Sequence, residues 1–335
     1  MKKLLLVAVA GLLFAGLFAS CSGKGESAPA AAAESGKKQV AVILKATDSE
    51  FWQSMALGAK KYTESHPDVE VTIYGPPTEA QIAELVAILE NVVSKKPAGI
   101  LVAPPNADSI VAAVNEAMAL GIPVVTADNS ITTKVTAHIA TDNIVGGAAV
   151  ADGLVAAIQA KGQALKGSVA IIGPDVFEVI ENRIKGFVDR LAIIAPDIKL
   201  LPTRYCDNDI AKALNIAQDI MLSTPDLIGF YGANNHSADG IARALRETGK
   251  HSVISAAGYD SDPEEVAALA DSVFNALIVQ DPWALGYKGV EFIMASINGE
   301  SVPEYFNPGV AVVTSGNMNE PKMKAILDPK LRLEY

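Results

Sequence analysis

Cysteine is nearly missing from this chain of 335 residues: there are two, Cys21 and Cys206. With Cys21 taken up near the start, no intrachain disulfide is left for the body, so its fold must rest on an apolar core. Histidine is as scarce. His66, His138, His236 and His251 show neither metal-ligand spacing nor a cysteine companion. Aromatic residues make up 6% of the chain. No G-x-S-x-G, no G-x-x-x-x-G-K-[ST] and no G-x-G-x-x-G after a strand occurs. Those absences remove the usual signatures of acyl hydrolysis, phosphate-loop nucleotide binding and dinucleotide redox chemistry, and no catalytic residue, metal or cofactor is expected. Positive charge is also short, with 27 Lys and Arg against 38 Asp and Glu and a formal charge of −11. Nucleic acid and anionic membrane surfaces are therefore poor candidates for the main partner.

What the sequence does have begins with an export signal. Met1-Lys2-Lys3 is a positive start, residues 4–18 are apolar but short for a membrane span, and Ala19-Ser20 precede Cys21. Apolar, small, small, cysteine is the pattern of a bacterial lipoprotein signal, with Phe18 standing where leucine is usual. A plain cleaved signal is the alternative. On the first reading residues 1–20 are removed, Cys21 is lipidated, and residues 21–38 form a flexible tether rich in Ala, Gly and Ser. The body is then held at the membrane by lipid alone, in the periplasm or at the cell surface. Removing Lys2 and Lys3 takes the formal charge from −11 to −13. No second stretch is expected to be long and apolar enough to span a bilayer.

From residue 39 onward, short apolar runs alternate with amphipathic ones. Strands are expected at 40–44, 69–74, 99–103, 123–127, 135–140, 168–172, 199–202, 227–232, 253–258, 273–279 and 310–314, with helices between most of them, for example over 80–95 and 209–222. Such alternation predicts an α/β protein with mostly parallel sheets, and the strand count suits two sheets, one per lobe. In open parallel sheets ligands sit beyond the carboxyl ends of strands. Almost every expected strand here ends in Asp, Asn or Gln, as in Asp128-Asn129, Asn208-Asp209, Asn234-Asn235, Tyr259-Asp260 and Gln280-Asp281. Each of these could be a helix cap. Together with the aromatic pair Phe51-Trp52, they have the chemistry of a sugar site: planar hydrogen-bonding groups for vicinal hydroxyls and a ring face for the C–H side.

Four stretches, AHIATDNIVGGAAVADGL (137–154), ENRIKGF (181–187), YGANNHSADGIARAL (231–245) and AAGYDSDPEEVAAL (256–269), resemble the ribose-binding type of ABC-transporter sugar receptors. The resemblance runs from about residue 40 to about 313. It implies a type I periplasmic binding protein: two doubly wound Rossmann-like lobes with parallel sheets, joined by a three-segment hinge. The crossings would lie near 141–143, 280–282 and 310–314. Residues 39–141 and 281–312 would form the N-terminal lobe, and 142–280 and 313–335 the C-terminal lobe. It implies no enzyme, and a monomer that closes over a small sugar and presents it to an ABC permease. Carried over by residue, it implies ligand contacts from Phe51, Trp52, Asp128, Arg183, Asn234, Asp260 and Gln280.

Several positions depart from that pattern. Pro104 stands where an asparagine is usual, which leaves Asn106 as a substitute; Asn129 replaces an arginine. Asn208 replaces a phenylalanine, opening the second face of the sugar to Phe177, Tyr205 or Trp283. Lys45 replaces a small polar residue. Lys45 and the GPPTEA turn (75–80) are reminiscent of another branch of the fold, which includes receptors for a furanosyl autoinducer. The alternatives are therefore a modified ligand such as an autoinducer or nucleoside, or a role mainly in chemosensing. If Lys45 faces the cleft, it favours extra hydroxyls, a carboxylate or a phosphate, unless Asp48 or Asp128 neutralises it.

Overall fold

Runs that are apolar at every position, such as Gly99–Val102 and Val124–Ala127, form strands buried on both faces because helices cover both sides of the sheets. The computed structural model describes residues 36–332. The first lobe is built from β1 (Lys38–Ile43), α1 (Glu50–Ser65), β2 (Val69–Tyr74), α2 (Ile82–Ser94), β3 (Gly99–Val102), α3 (Val111–Ala119), β4 (Val124–Ala127) and β5 (Ala137–Ile139). The chain then crosses to the second lobe: α4 (Asn143–Ala160), β6 (Gly167–Gly173), α5 (Glu178–Ile194), β7 (Ile198–Leu200), β8 (Arg204–Tyr205), α6 (Ile210–Ser223), β9 (Leu227–Gly232), α7 (Asn235–Thr248), β10 (Ser255–Tyr259), α8 (Pro263–Ala270) and β11 (Ala276–Val279). It returns through α9 (Pro282–Ile297), which packs on α1, and β12 (Tyr305–Phe306), and crosses again to β13 (Ala311–Val313) and α10 (Pro321–Leu327).

The first sheet has the order β12-β5-β4-β3-β1-β2 and is parallel throughout. The second runs β13-β11-β10-β9-β6-β7, with β8 also on β6, and only β13 is antiparallel. That edge corrects the expected third crossing. Residues 310–314 are not the hinge segment itself: Val313 pairs with Leu277 and Ala311 with Val279 in the second sheet. The chain changes lobes earlier, over 307–309, where Gly309 takes φ 83°, and Val310 already packs on the second-lobe core. Ala311 and Val312, expected in the N-terminal lobe, belong to this sheet. The export signal, the tether and Cys21 lie outside the described residues.

α4 corrects a second expectation, since it is 18 residues long with a mean hydropathy of 1.4 and passes the length and composition test for a span. Its apolarity serves the second-lobe core, where Val150, Ala151, Leu154 and Ile158 are buried. It also lies backbone to backbone against α5. A Cβ on Gly147 would fall 1.9 Å from the Arg183 carbonyl oxygen, and one on Gly186 would fall 2.0 Å from that of Ile144. Only glycine permits this approach, and it brings Arg183 to the first turn of α4.

The C-terminal segment forms a strap. Met323, Ile326 and Leu327 of α10 pack on the second-lobe core. After a 3₁₀ turn at Pro329–Leu331, Arg332 reaches the start of α9, bonding Asp281 at 2.5 Å and lying 4.5 Å over the Trp283 ring.

Candidate functional site

Each lobe ends a central strand with an aspartate in the left-handed region of backbone space. Asp128 follows β4 at φ 71°, and Asp260 follows β10 at φ 90°. Side-chain-bearing residues seldom adopt this conformation, which tends to mark functional positions. Here the adjoining strand imposes it in the same way twice. The Asp128 N–H donates to the Ile139 carbonyl at 2.9 Å, and the Asp260 N–H to the Ile278 carbonyl at 2.8 Å. Both residues line one cavity of about 60 Å³ between the lobes. The lobes also touch directly, with the Ser130 hydroxyl donating to Glu178 at 2.8 Å.

The first-lobe wall comes from the end of β1, the first turn of α1 and the turn after β2. Lys45 Nζ donates to Asp128 Oδ2 at 2.6 Å and stands 5.0 Å from the centre of the Trp52 ring. The Trp52 indole N–H donates to Glu79 Oε1 at 2.7 Å, and Phe51 meets Trp52 edge-on at 4.7 Å.

The second-lobe wall centres on Arg183, which is 4% exposed. Its Nε donates to Asn143 Oδ1 and its Nη1 to the Ala233 carbonyl, each at 2.9 Å, and its guanidinium lies 3.8 Å over the Tyr259 ring. Nη1 is 3.8 Å from Asp260 Oδ2, while the Gln280 amide donates to Asp260 Oδ1 at 2.7 Å. Burial pushes the Asp260 carboxyl above the usual range, against the opposing pull of Arg183 and Gln280. Asn234 caps α7, accepting from the Ser237 N–H at 3.1 Å and hydroxyl at 2.6 Å. Phe177 lines the cavity from the second lobe.

A buried acidic layer lies behind this wall. Asn235 donates to Asp262 at 3.0 Å, and burial pushes the Asp262 carboxyl up to about 6. Burial likewise pushes Asp239 up to about 8 and Glu265 well above its ordinary value. Asp239 Oδ1 and Glu265 Oε1 have no hydrogen-bond partner among the described residues.

The structure brings Lys45, Phe51, Trp52, Asp128, Arg183, Asn234, Asp260 and Gln280 onto the one cavity. It places three expected residues elsewhere. Asn106 is exposed and closes its own turn, accepting from the N–H groups of Asp108 and Ser109. Asn129 spends its amide on the Pro104 and Pro105 carbonyls at 3.0 and 3.3 Å, bracing the loop that the two prolines leave without donors. Asn208 supports Asn234, accepting from its amide at 2.8 Å. Of the three aromatics considered for the open face, Phe177 reaches the cavity, whereas Trp283 is buried against Tyr287. Sequence reasoning missed Glu79 and Asn235. The second was visible in the Asn234-Asn235 strand end. Glu79 was not, because its bond to Trp52 spans 27 residues.

A wider recess of about 740 Å³ adjoins the cavity and shares Phe51, Asp260 and Gln280 with it. Leu57, Val266, Ala267, Ile326 and Pro329 from α1, α8 and the strap make much of its wall apolar.

Two doubly wound lobes, converging on a polar cavity with an aspartate from each, define a bilobal solute receptor. The chain belongs to the periplasmic binding protein domain family, whose model matches residues 40–301. It is 28% identical over 277 residues to the ribose import binding protein of Escherichia coli, covering 82% of this chain and 90% of that one. It is 27% identical over 274 residues to the D-allose-binding periplasmic protein of the same organism, with coverage of 79% and 86%. Among solved structures, a carbohydrate transporter solute binding protein from Agrobacterium radiobacter in complex with D-arabinose superposes with a TM-score of 0.83. It is 31% identical, with 88% of this chain and 100% of that one covered.

Proposed function

We propose that this protein is an extracytoplasmic receptor that closes its two lobes over a neutral monosaccharide and delivers it to an ABC permease. The observation that carries this reading is the pair Asp128 and Asp260, one per lobe, on the same cavity as Trp52 and Arg183. Carboxylates and a guanidinium suit paired hydroxyls, and the indole suits the C–H face of a sugar ring. The cavity, about 60 Å³, is several times the ~10–15 Å³ that one water requires and below the roughly 300–1,000 Å³ of small-molecule pockets, so a sugar enters only as the lobes part. Lys45 contributes as a donor to hydroxyls, since Asp128 offsets its charge at 2.6 Å. Relatives named for ribose and allose, and a neighbour solved with D-arabinose, support the class. Cleavage of the first twenty residues and lipidation of Cys21 complete the proposal, as does action as a monomer.

A thermal-shift panel of pentoses, hexoses, polyols, nucleosides and an autoinducer tests it. A sugar at about 100 times its dissociation constant adds about 2.7 kcal/mol of stability. Melting points unmoved by every sugar but raised by a nucleoside or autoinducer would overturn the reading. The adjoining recess favours one variant of it, a sugar bearing an apolar substituent, and methyl and phenyl glycosides in the panel separate that case.

A further inference from the structure

The turn at residues 75–80 is docked on the end of β1. The Thr47 N–H donates to the Pro76 carbonyl at 2.9 Å, the Asp48 N–H to that of Pro77 at 3.2 Å, and the Thr47 hydroxyl to Pro76 at 3.2 Å. These bonds hold Glu79 at the cavity wall, where it accepts the Trp52 indole N–H at 2.7 Å. Five charged side chains line the cavity: Lys45 and Arg183, and Glu79, Asp128 and Asp260. Each cation already faces a carboxylate, Lys45 with Asp128 at 2.6 Å and Arg183 with Asp260 at 3.8 Å. Glu79 is the carboxylate left over, bonded to a neutral donor.

We propose that Glu79 is a specificity-determining residue of this cleft: it fixes the Trp52 indole as a platform and supplies an unbalanced negative charge that admits neutral and amino sugars and rejects uronic acids and sugar phosphates. The first effect follows from preorganisation, because a platform already locked by a hydrogen bond loses less freedom when a ring stacks on it. The second follows from like-charge repulsion in a partly dry cleft, a device that selects by penalising the wrong ligand. The inference rests on the sugar-receptor reading above.

The wild type, Glu79→Gln and Glu79→Ala are titrated with a neutral panel (D-ribose, D-arabinose, D-allose, D-glucose, D-galactose) and a charged one (D-glucosamine, D-glucuronate, D-galacturonate, D-glucose 6-phosphate). Glutamine keeps an acceptor for the indole and removes the charge. The ratio of neutral to anionic affinity is expected to fall at least about tenfold in Glu79→Gln, the scale of one partly screened charge contact. Glu79→Ala is expected to bind the best neutral sugar at least about fivefold more weakly than Glu79→Gln does, because it also loses the indole bond. In a Trp283→Phe background, leaving Trp52 as the one tryptophan, its emission anisotropy should gain a fast component in Glu79→Ala that rescue by glutamine suppresses. An unchanged ratio in Glu79→Gln overturns the charge role. Equal neutral-sugar affinities in the two variants, with identical anisotropy, overturn the positioning role. Silence of every sugar on the wild type is different: it removes the receptor reading and this inference with it.

Discussion

Asp128 and Asp260 occupy matching places in the two lobes, with the same left-handed backbone and the same bond to a neighbouring strand. Their partners differ. Asp128 is held by Lys45 from its own sheet. Asp260 is held by Gln280, which begins one hinge crossing, and faces Arg183, which Asn143 orients from just beyond another. The first half of the site is thus assembled within a lobe, and the second is assembled on the hinge. Contacts in the second half should report how the lobes are joined as well as what lies between them.

The largest effect is expected at Asp260. Asp260→Ala strands Arg183 without its carboxylate and Gln280 without its acceptor, a loss of about 3–5 kcal/mol for a buried pair. Sugar binding by calorimetry should weaken by about 100-fold or more, with an unchanged circular dichroism spectrum; normal binding would remove Asp260 from the site. Next comes Asn143→Ala. Asn143 is absent from the cavity lining; it also meets the Tyr259 hydroxyl and the Thr141 carbonyl, but its charge-assisted bond to Arg183, worth about 1.5–3 kcal/mol, is its strongest link to the site. Affinity should drop by about 10–100-fold, and no loss would break the link between site and hinge. Lys45→Met should cost less, about five- to tenfold, because the Ile139 bond still fixes Asp128 and a sugar hydroxyl can take the place of the ammonium. Equal losses for Lys45→Met and Asp260→Ala would show that the two halves are equivalent after all.

The smallest effect concerns stability. Asp128 is the only buried carboxylate of the first lobe among the described residues, whereas the second lobe buries Asp239 and Glu265 besides Asp260. Asp239 is raised from 3.8 to about 8, so the folded protein keeps a proton that the unfolded chain releases. That contribution is whole below pH 4 and lost as pH rises through 8, with Asp262, at about 6, adding to the slope. Asp239→Asn should flatten the fall, and its melting point relative to wild type should rise by about 2–4 °C per kcal/mol recovered between pH 5 and 9. A parallel pH profile in the variant would assign the slope elsewhere.

The fold was largely legible because its strands are continuous apolar runs separated by periodic helices; β2 and β9 have the expected bounds. Arg204-Tyr205 and Tyr305-Phe306 escaped notice because two residues carry no period. The run at 310–314 was read as a strand, but pattern alone does not say which sheet receives it. The strand ends announced the cavity, yet they could not separate residues facing inward from those bracing the loops. Asn129, Asn208 and Asn234 look alike in sequence; only the third lines the cavity, while Asn129 turns its amide N–H groups to the Pro104 and Pro105 carbonyls, its Oδ1 having no partner among the described residues, and Asn208 supports Asn234. Glu79 was hidden for a related reason, since its partner lies on a different element.

Cys206 has a use that has nothing to do with binding. It is fully buried, with its sulfur 3.5 Å from the Ser237 hydroxyl, and in a soluble form starting after Cys21 it is the sole thiol. Such a protein is silent to maleimide dyes. A cysteine introduced at Ser130, which meets Glu178 of the other lobe at 2.8 Å, would take one dye at one place. Its colour or brightness would then follow the lobes as they part and meet, turning the receptor into a reagentless optical sensor for its own ligand.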